Sequence, residues 1–312
     1  MTSELRRAAQ ILRAGGLVAF PTETVYGLGA DAASEKAVSR LYAVKRRPVD
    51  HPVIVHFEDS GNAFAWAREP PAAARKLAER FWPGPLTLIL KRSGQAKDFV
   101  TGGQDTVGLR VPSHPVAQAL LKEFGGAIAA PSANRFGLVS PTTAAHVRDD
   151  LGKDVDLVLE GGASEVGIES TILDLSANAP VLLRPGHISK SDLESVIGRI
   201  GEKVATSPRH SGGRERHYAP RTPAQLVPTY ALDREIAKGK DRVAVLAFSR
   251  PDERVDYWLR MPRDPQAYAQ RLYAALRELD TAGCERILVE APPEAPEWSA
   301  VRDRLSRACG QG

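Results

Sequence analysis

Three short stretches of this 312-residue chain combine residue types that could bind phosphate groups and a small zwitterion. They read PTETVYGLG over residues 21–29, KRRP over residues 45–48 and SAN over residues 132–134. Hydroxyl groups can hydrogen-bond a polar ligand, and glycines let a ligand approach the backbone closely. Lys45 and Arg47 could share one phosphate or carboxylate. Because cations also satisfy the carbonyl groups at a helix end, the second stretch has a purely structural interpretation as well.

Further polar residues lie in or next to predicted strands. Arg110 stands between two apolar residues, and a buried guanidinium there needs an anion or several carbonyl groups. The SAN stretch directly follows a predicted strand, which is where open α/β sheets place ligands, although serine and asparagine also favour turns. His56 in its apolar strand is more simply a satisfied, half-buried residue. The chain thus offers several hydroxyls and four cations but no evident nucleophile–base pair, which indicates binding and charge stabilisation. The four cations are Lys45, Arg47, Arg110 and Arg184.

Composition and missing motifs exclude several classes of protein. The sequence contains neither the GxxxxGK[ST] pattern of a P-loop nor a complete GxGxxG fingerprint. Its two cysteines, Cys284 and Cys309, form no CxxC pair, so they support neither a zinc site nor a redox dithiol. A net charge of +4 favours anionic ligands without requiring nucleic acid. No apolar run approaches the roughly 20 residues that cross a bilayer, and we expect a cytoplasmic protein without a membrane partner.

The order of predicted elements indicates an α/β protein with two domains. Helical and strand patterns alternate over residues 1–205, with Ser34 and Ser113 as predicted helix N-caps. Residues 206–222 are rich in Pro, Gly, Ser and charge and predict an interdomain linker. Residues 223–312 contain a strand, a helix and a second strand, typical of a small Rossmann-like domain.

The ordered motifs resemble one family of enzymes. PTETVYGLG, Lys45-x-Arg47, Val55-His56, GLRVP, SAN, SPT and Glu169-Ser170-Thr171 occur in the order found in YrdC-like L-threonylcarbamoyl-adenylate synthases. The resemblance covers about residues 10–190. The C-terminal part, including HYAP at residues 217–220, resembles the longer branch with a Rossmann-like domain. The resemblance implies a twisted mixed sheet with helices around a concave cavity, plus that smaller α/β domain.

The resemblance also implies a reaction and a set of site residues. Members of the family convert L-threonine, bicarbonate and ATP to L-threonylcarbamoyl-AMP and pyrophosphate. The product serves tRNAs that read ANN codons, through a separate downstream transferase. Mg²⁺ is expected with ATP, without a dedicated metal site on the protein. The residues implied to contact threonine are Thr24, His56, Arg110, Ala130 and Ser170. Those implied to surround ATP are Lys45, Arg47, His51, Thr106, Ser132, Asn134, Ser140, Arg184 and Tyr218, with Lys45 and Arg47 assigned to catalysis and the linker to a lid.

Two alternatives use the same features differently. An RNA- or tRNA-binding protein without turnover would explain the basic charge, but the chain shows no aromatic RNA-binding run or basic arm. A carbamoyl-transfer relative of hydrogenase maturation would share the domain, but such chains carry cysteine-rich zinc modules. The two isolated cysteines argue against that second alternative.

Overall fold

The computed structural model describes residues 2–201, 204, 207–213, 216–239 and 241–309. The predicted α/β class is confirmed, with a large mixed sheet and a second, smaller α/β unit. The nine strands of the large sheet are β1 Val18–Phe20, β2 Gly27–Asp31, β3 Ile54–His56, β4 Leu86–Lys91, β5 Thr106–Arg110, β6 Ile128–Ala129, β7 Leu157–Val158, β8 Thr171–Asp174 and β9 Val181–Arg184. The helices of this region are α1 Thr2–Arg13, α2 Glu35–Lys45, α3 Ser60–Phe64, α4 Ala72–Phe81, α5 Asp98–Thr101, α6 Pro115–Phe124, α7 Ala144–Leu151 and α8 Lys190–Ile197.

The large sheet mixes parallel and antiparallel neighbours. Its strand order is β7-β1-β2-β6-β3-β5-β4-β8-β9. β3 and β5 are parallel, whereas β6 runs antiparallel to both β2 and β3. The register of the parallel pair sets His56 opposite Arg110. Two polar residues far apart in sequence therefore come to the same end of the sheet.

Helices cover both faces of this sheet, because successive residues of a strand point to opposite sides. In β1, Val18 and Phe20 pack with α1 and α6, whereas Ala19 between them belongs to the core on the other face. That second core also contains apolar residues of α2 and α4. With both faces buried, polar side chains that must reach a ligand are confined to the strand ends and the loops that follow them.

The C-terminal region forms a separate, all-parallel sheet in the order β10-β13-β11-β12. Its strands are β10 Ala224–Val227, β11 Val243–Ala247, β12 Tyr257–Arg260 and β13 Arg286–Glu290. Its helices are α9 Leu232–Ala237, α10 Pro265–Asp280 and α11 Ser299–Cys309. α10 and α11 cover one face and α9 the other.

The two α/β units are packed tightly together. The backbone of Gly167, at φ +78°, lies so close to α10 that a Cβ there would be 2.4 Å from Cα of Gln270. Any larger residue would push the helix away. Arg277 of α10 donates two hydrogen bonds to the carboxylate of Asp150 in α7. The second unit is thus held directly against the first.

Most local predictions agree with the structure, and two do not. Ser34 caps α2, accepting a hydrogen bond from the backbone of Ala37. The prediction that Ser113 caps α6 is wrong: His114 is the N-cap, and its ring nitrogen accepts from Val116. Gly27 to Gly29, interpreted as a loop, begin strand β2. The predicted boundary between residues 205 and 206 lies outside the described residues, and the domain limits remain predictions.

In the described ranges, no helix is both long enough and apolar enough to span a bilayer.

Candidate functional site

Polar residues at or next to the ends of strands β3, β5, β6, β8 and β9, in the loop after β1 and in the linker meet around one enclosed space, the central cavity. β3 and β5 end on His56 and Arg110, β6 leads into the SAN stretch, and β9 ends on Arg184. Because β8 and β9 are antiparallel, Arg184 lies beside the start of β8 and the preceding Ser170. The cavity is lined by Thr22, Thr24, Val25, Gly27, Arg47, Ile54, His56, Arg110, Ala130, Pro131, Ser132, Glu169, Ser170, Arg184, Ser211, Gly212, His217 and Tyr218.

One end of the central cavity is organised by a buried ion pair. The Arg110 guanidinium donates through Nη2 to Oε1 of Glu23 at 2.6 Å and to the hydroxyl of Thr24 at 2.9 Å. The other Glu23 oxygen accepts from the backbone of Ser113 at 3.1 Å. Arg110 Nε and His56 Nδ1 are buried and have no hydrogen-bond partner among the described residues. Two polar atoms are therefore available for an anionic or polar ligand beside Thr24.

The opposite wall joins Ser170 to Arg184. Arg184 donates through Nε to the carbonyl of Ser170 at 2.9 Å and through Nη2 to its hydroxyl at 3.0 Å. The same hydroxyl lies 2.8 Å from that of Thr87. Both side chains are buried. The guanidinium is thus oriented by the backbone of the adjacent strand, while its edge faces the cavity.

The two predicted catalytic cations occupy different places. Lys45 Nζ is buried behind the cavity wall and donates to the carbonyl oxygens of Ser132 and Asn134, the latter at 2.6 Å. Burial lowers the pKa of Lys45 well below its usual value, and the nearby charge of Arg47 lowers it further. Arg47 instead lines the cavity, and its Nη2 donates to the carbonyl of Pro52 at 2.7 Å. Lys45 supports the SAN loop, and Arg47 faces the ligand space.

Four further predicted ATP contacts do not line the central cavity. Asn134 braces its own loop, since Oδ1 accepts from Ser132 Oγ at 2.6 Å and Nδ2 donates to Leu138 at 2.7 Å. The ring of His51 packs against Phe136. Thr106 lines a separate small cavity between strands of the large sheet and the linker. Ser140 is fully buried, and its hydroxyl donates a hydrogen bond to Glu169 at 2.6 Å. Their roles in binding ATP remain predictions.

The linker covers the cavity. The carbonyl of Ser211 accepts from Arg184 Nη1 at 2.9 Å, and its hydroxyl accepts from Arg47 Nη2 at 3.3 Å. His217 packs edge-on against Phe136, and Tyr218 is buried. The cavity volume is about 50 Å³, enough for a few water molecules. Ligands the size of a nucleotide occupy pockets of about 300–1,000 Å³, so the cavity in this conformation is too small for such a ligand.

Sequence reasoning missed two carboxylates of the site, Glu23 and Glu169. Both lie inside motifs that were singled out, next to Thr24 and Ser170. The sequence did contain a signal: each of these acids directly precedes a hydroxyl residue, Thr24 or Ser170, that was expected to contact threonine. In the described part of the chain, no group of three or more His, Cys, Asp or Glu side chains could hold a metal ion.

Burial of His56 makes the stability of the protein sensitive to acid. Burial lowers the pKa of His56 to about 3, and the charge of Arg110 contributes to the same shift. The unfolded chain has a histidine pKa near 6.5, so it binds more protons than the folded chain as pH falls from about 6.5 towards 3. Folding stability is therefore lost with falling pH in that window.

We expect His56→Gln to reduce this acid sensitivity. The drop in unfolding free energy between pH 7.5 and pH 5 should shrink by about 2 kcal/mol relative to the wild type. Urea unfolding at the two pH values measures the difference. His187→Gln is the matched control, because His187 is exposed, and should behave as the wild type does. An unchanged drop in His56→Gln would contradict the assignment.

Comparison with known proteins adds an independent finding. Residues 10–186 match the Sua5/YciO/YrdC family model, described as telomere recombination, and residues 188–310 match the model described as threonylcarbamoyl-AMP synthase, C-terminal domain. Threonylcarbamoyl-AMP synthase of Pyrococcus abyssi is 41% identical, covering 98% of this chain and 94% of the relative. The Bacillus subtilis protein of that name is 40% identical, covering 98% and 93%. The crystal structure of P. abyssi Sua5 complexed with L-threonine superimposes with a TM-score of 0.93 at 39% identity, covering 98% and 94%.

Proposed function

Because the chain belongs to the Sua5/YciO/YrdC family and also carries the C-terminal domain of threonylcarbamoyl-AMP synthases, we propose that it is an L-threonylcarbamoyl-AMP synthase. It joins L-threonine, bicarbonate and ATP into L-threonylcarbamoyl-AMP, releasing pyrophosphate and water. The observation that carries the proposal is the central cavity, where the end formed by Thr24, His56 and Arg110 faces two further guanidinium groups. The product supplies a separate transferase acting on tRNA, and the protein works in the cytoplasm.

The proposed threonine site uses the polar atoms beside Arg110. A threonine carboxylate placed there accepts from Arg110 Nε, a buried donor that has no partner in the described structure. His56 stays neutral near pH 7, because its pKa lies near 3, so its ring can bind a polar group without adding charge. The hydroxyls of Thr24 and Ser170 lie in the same cavity and suit the threonine hydroxyl and amine.

The proposed chemistry needs no protein nucleophile. The neutral amine of threonine attacks the carbon of bicarbonate or CO₂ and forms a carbamate; from bicarbonate, water leaves. A carbamate oxygen then attacks the α-phosphorus of ATP, the bond to the bridging oxygen breaks, and pyrophosphate leaves. Arg47 and Arg184 hold the phosphates and stabilise the charge that builds up on them in the transition state. Holding three reactants in one enclosed space supplies much of the rate acceleration.

Mg²⁺ is proposed to arrive with the phosphates of ATP. The two carboxylates at the cavity are engaged: Glu23 binds Arg110, and Glu169 accepts from Ser140, Tyr273 and Arg304. They do not form a pair of open oxygen ligands of the kind that Mg²⁺ prefers. We therefore assign no protein side chain to the metal.

Pyrophosphate release from ATP tests the proposed function directly. Release should require both L-threonine and bicarbonate, and L-serine should replace threonine poorly. Release from folded protein that ignores threonine would contradict the synthase. Tight RNA binding in that case would favour the RNA-binding alternative.

The linker is proposed to act as a lid, and Gly212 offers a way to loosen it. Gly212 has φ +77°, and a Cβ there would lie 2.0 Å from the Tyr218 hydroxyl. A non-glycine residue in this conformation costs about 1–3 kcal/mol. We expect Gly212→Ala to favour the open linker and to accelerate trypsin cleavage after the exposed Arg209 about tenfold.

Gly198→Ala is the matched control for the lid variant. Gly198 has φ +80°, but nothing lies within 4 Å of its Cβ position. It should leave cleavage after Arg209 unchanged. Equal cleavage rates in Gly212→Ala and the wild type, with an unchanged KM for ATP, would rule out the lid.

A further inference from the structure

A fully buried arginine of the C-terminal sheet unit reaches the wall of the central cavity. Arg304 of α11 has no exposed surface. Its Nε donates to Oε2 of Glu169 at 2.7 Å, its Nη1 donates to the Pro185 carbonyl at 3.0 Å, and its Nη2 donates to the Glu169 carbonyl at 3.2 Å. The guanidinium also lies 5.4 Å from the ring centroid of Tyr218. Arg304 thus contacts a cavity residue, the turn after β9 and the linker.

Glu169 connects this arginine to the residues proposed to bind substrate. Its Oε1 accepts a hydrogen bond from the Ser140 hydroxyl at 2.6 Å, and its Oε2 accepts one from the Tyr273 hydroxyl of α10 at 2.8 Å. Glu169 directly precedes Ser170, whose carbonyl and hydroxyl orient Arg184. The carboxylate therefore contacts Arg304 and Tyr273 of the C-terminal unit and Ser140 of the first, and the backbone of Glu169 leads directly into Ser170, which orients Arg184.

We propose that Arg304 is a positioning residue of the active site, which holds Glu169 in the cavity wall as a carboxylate so that Glu169 orients Ser140, Ser170 and Arg184. The proposal rests on the proposed synthase function. It also assigns a role to the C-terminal unit: that unit completes the wall of the catalytic cavity from outside. Arg304 touches no reacting atom and acts only through Glu169.

The charge balance around Glu169 supports this role. Burial alone would raise the pKa of Glu169, but Arg304 and Arg184 offset burial, and the net result is a pKa below the usual value. The ionisable groups that face it are Arg304 and Asp303 of α11, Tyr273 of α10, Arg184 of β9, and His217 and Tyr218 of the linker. Of these, Asp303 is itself paired with Arg304 and Arg307. Without Arg304, the burial effect is opposed mainly by Arg184.

We expect the kcat/KM of Arg304→Gln to decline on the acid side of its pH profile, which we call the acid limb. In the wild type, Glu169 stays ionised and contributes no loss of activity between pH 5.5 and 8. In Arg304→Gln, the pKa of Glu169 rises, so kcat/KM should fall at least tenfold at pH 7.5 and decline further as pH is lowered. In the double variant Glu169→Gln with Arg304→Gln, no carboxylate remains to titrate, and the acid limb should disappear.

Controls separate positioning from a general loss of structure. Arg302→Gln makes the same change on the same helix, but the Arg302 side chain is 41% exposed and forms a surface ion pair with Glu294. It should keep the wild-type rate and pH profile. If Arg304→Gln does not fold, Tyr273→Phe removes one hydrogen bond to Glu169 and keeps the packing. Tyr273→Phe should lower kcat/KM several-fold. As in Arg304→Gln, kcat/KM should also fall more steeply with decreasing pH than it does in the wild type.

The outcomes distinguish this proposal from the proposed function. Wild-type rates and a flat profile in Arg304→Gln, or an acid limb that persists in the double variant, would overturn the positioning role. If the wild type itself releases no threonine-dependent pyrophosphate, the synthase assignment fails instead. The ion pair between Arg304 and Glu169 is then tested by urea unfolding. Relative to the double variant, the free energy of unfolding of Arg304→Gln should rise as pH falls from 8 to 6. Equal pH dependence of the two would count against the pairing.

Discussion

Replacing Arg47 with alanine is expected to lower the rate of threonine-dependent pyrophosphate release by about 10²–10³-fold and to leave the fold intact. Arg47 lines the central cavity, where its guanidinium can hold phosphate oxygens as charge develops on them. Alanine removes this preorganised charge from a buried site, where such interactions are strongest. The fold should survive because Arg47 follows the end of α2, and its hydrogen bonds go to loop carbonyls. Steady-state pyrophosphate release measures the rate, and circular dichroism measures whether the fold is retained.

Arg46 provides the matched control for this prediction. It is exposed, forms the C-cap of α2 in the left-handed conformation at φ 54°, and is not among the residues that line the central cavity. Arg46→Gln should retain the wild-type rate. Lys45→Ala should also slow release by orders of magnitude, because the SAN loop loses the amino group that donates hydrogen bonds to two of its carbonyls. A correctly folded Arg47→Ala protein with a near-normal rate would remove Arg47 from the mechanism.

Glu23→Ala is expected to lower the free energy of unfolding by about 3–5 kcal/mol, because it leaves Arg110 buried without its anion. Both side chains are only 5% exposed, and the pair is 2.6 Å apart. Alanine also leaves the backbone N–H of Ser113 without its acceptor. Urea or thermal unfolding at pH 7.5 measures the loss.

A surface pair tests whether burial is the cause. Glu160 binds Arg148 at the same distance of 2.6 Å, but the two side chains are 62% and 52% exposed. Glu160→Ala should cost no more than about 1 kcal/mol. Similar losses of unfolding free energy in the two variants would show that burial does not increase the contribution of the Glu23–Arg110 pair to stability.

Local sequence rules were most successful for features that depend on contacts between residues close in sequence, such as a helix cap. Ser34 was identified as a cap because its side chain bonds the backbone three residues later. The cap of α6 was placed one residue early, since serine is a common cap and the ring nitrogen of a histidine is a rare one. Strand β2 was not predicted because its two glycines suggest a loop, whereas in the structure both lie against the ring of Phe20.

The candidate site was predictable where residue type restricts the function, and not where the partner is distant in sequence. The need of Arg110 for an anion was recognised, but Glu23 as that anion depends on a fold that brings residues 23 and 110 together. Arg304 lies still further along the chain, in a helix with ordinary amphipathic spacing. Nothing in its local sequence distinguishes it from Arg302 and Arg307 of the same helix, which are only partly buried.

The strand pairing of the large sheet has a consequence for how fast the protein folds. Val18 pairs with Leu157 in adjacent parallel strands, and Leu86 pairs with Thr171. Such pairs close very long loops before they gain any stabilising contact, and proteins with high contact order fold slowly. The helical segments can form early, whereas the edge strand β7 must wait for the rest of the sheet. We therefore expect the chain to refold through populated intermediates, with the substrate cavity assembled last.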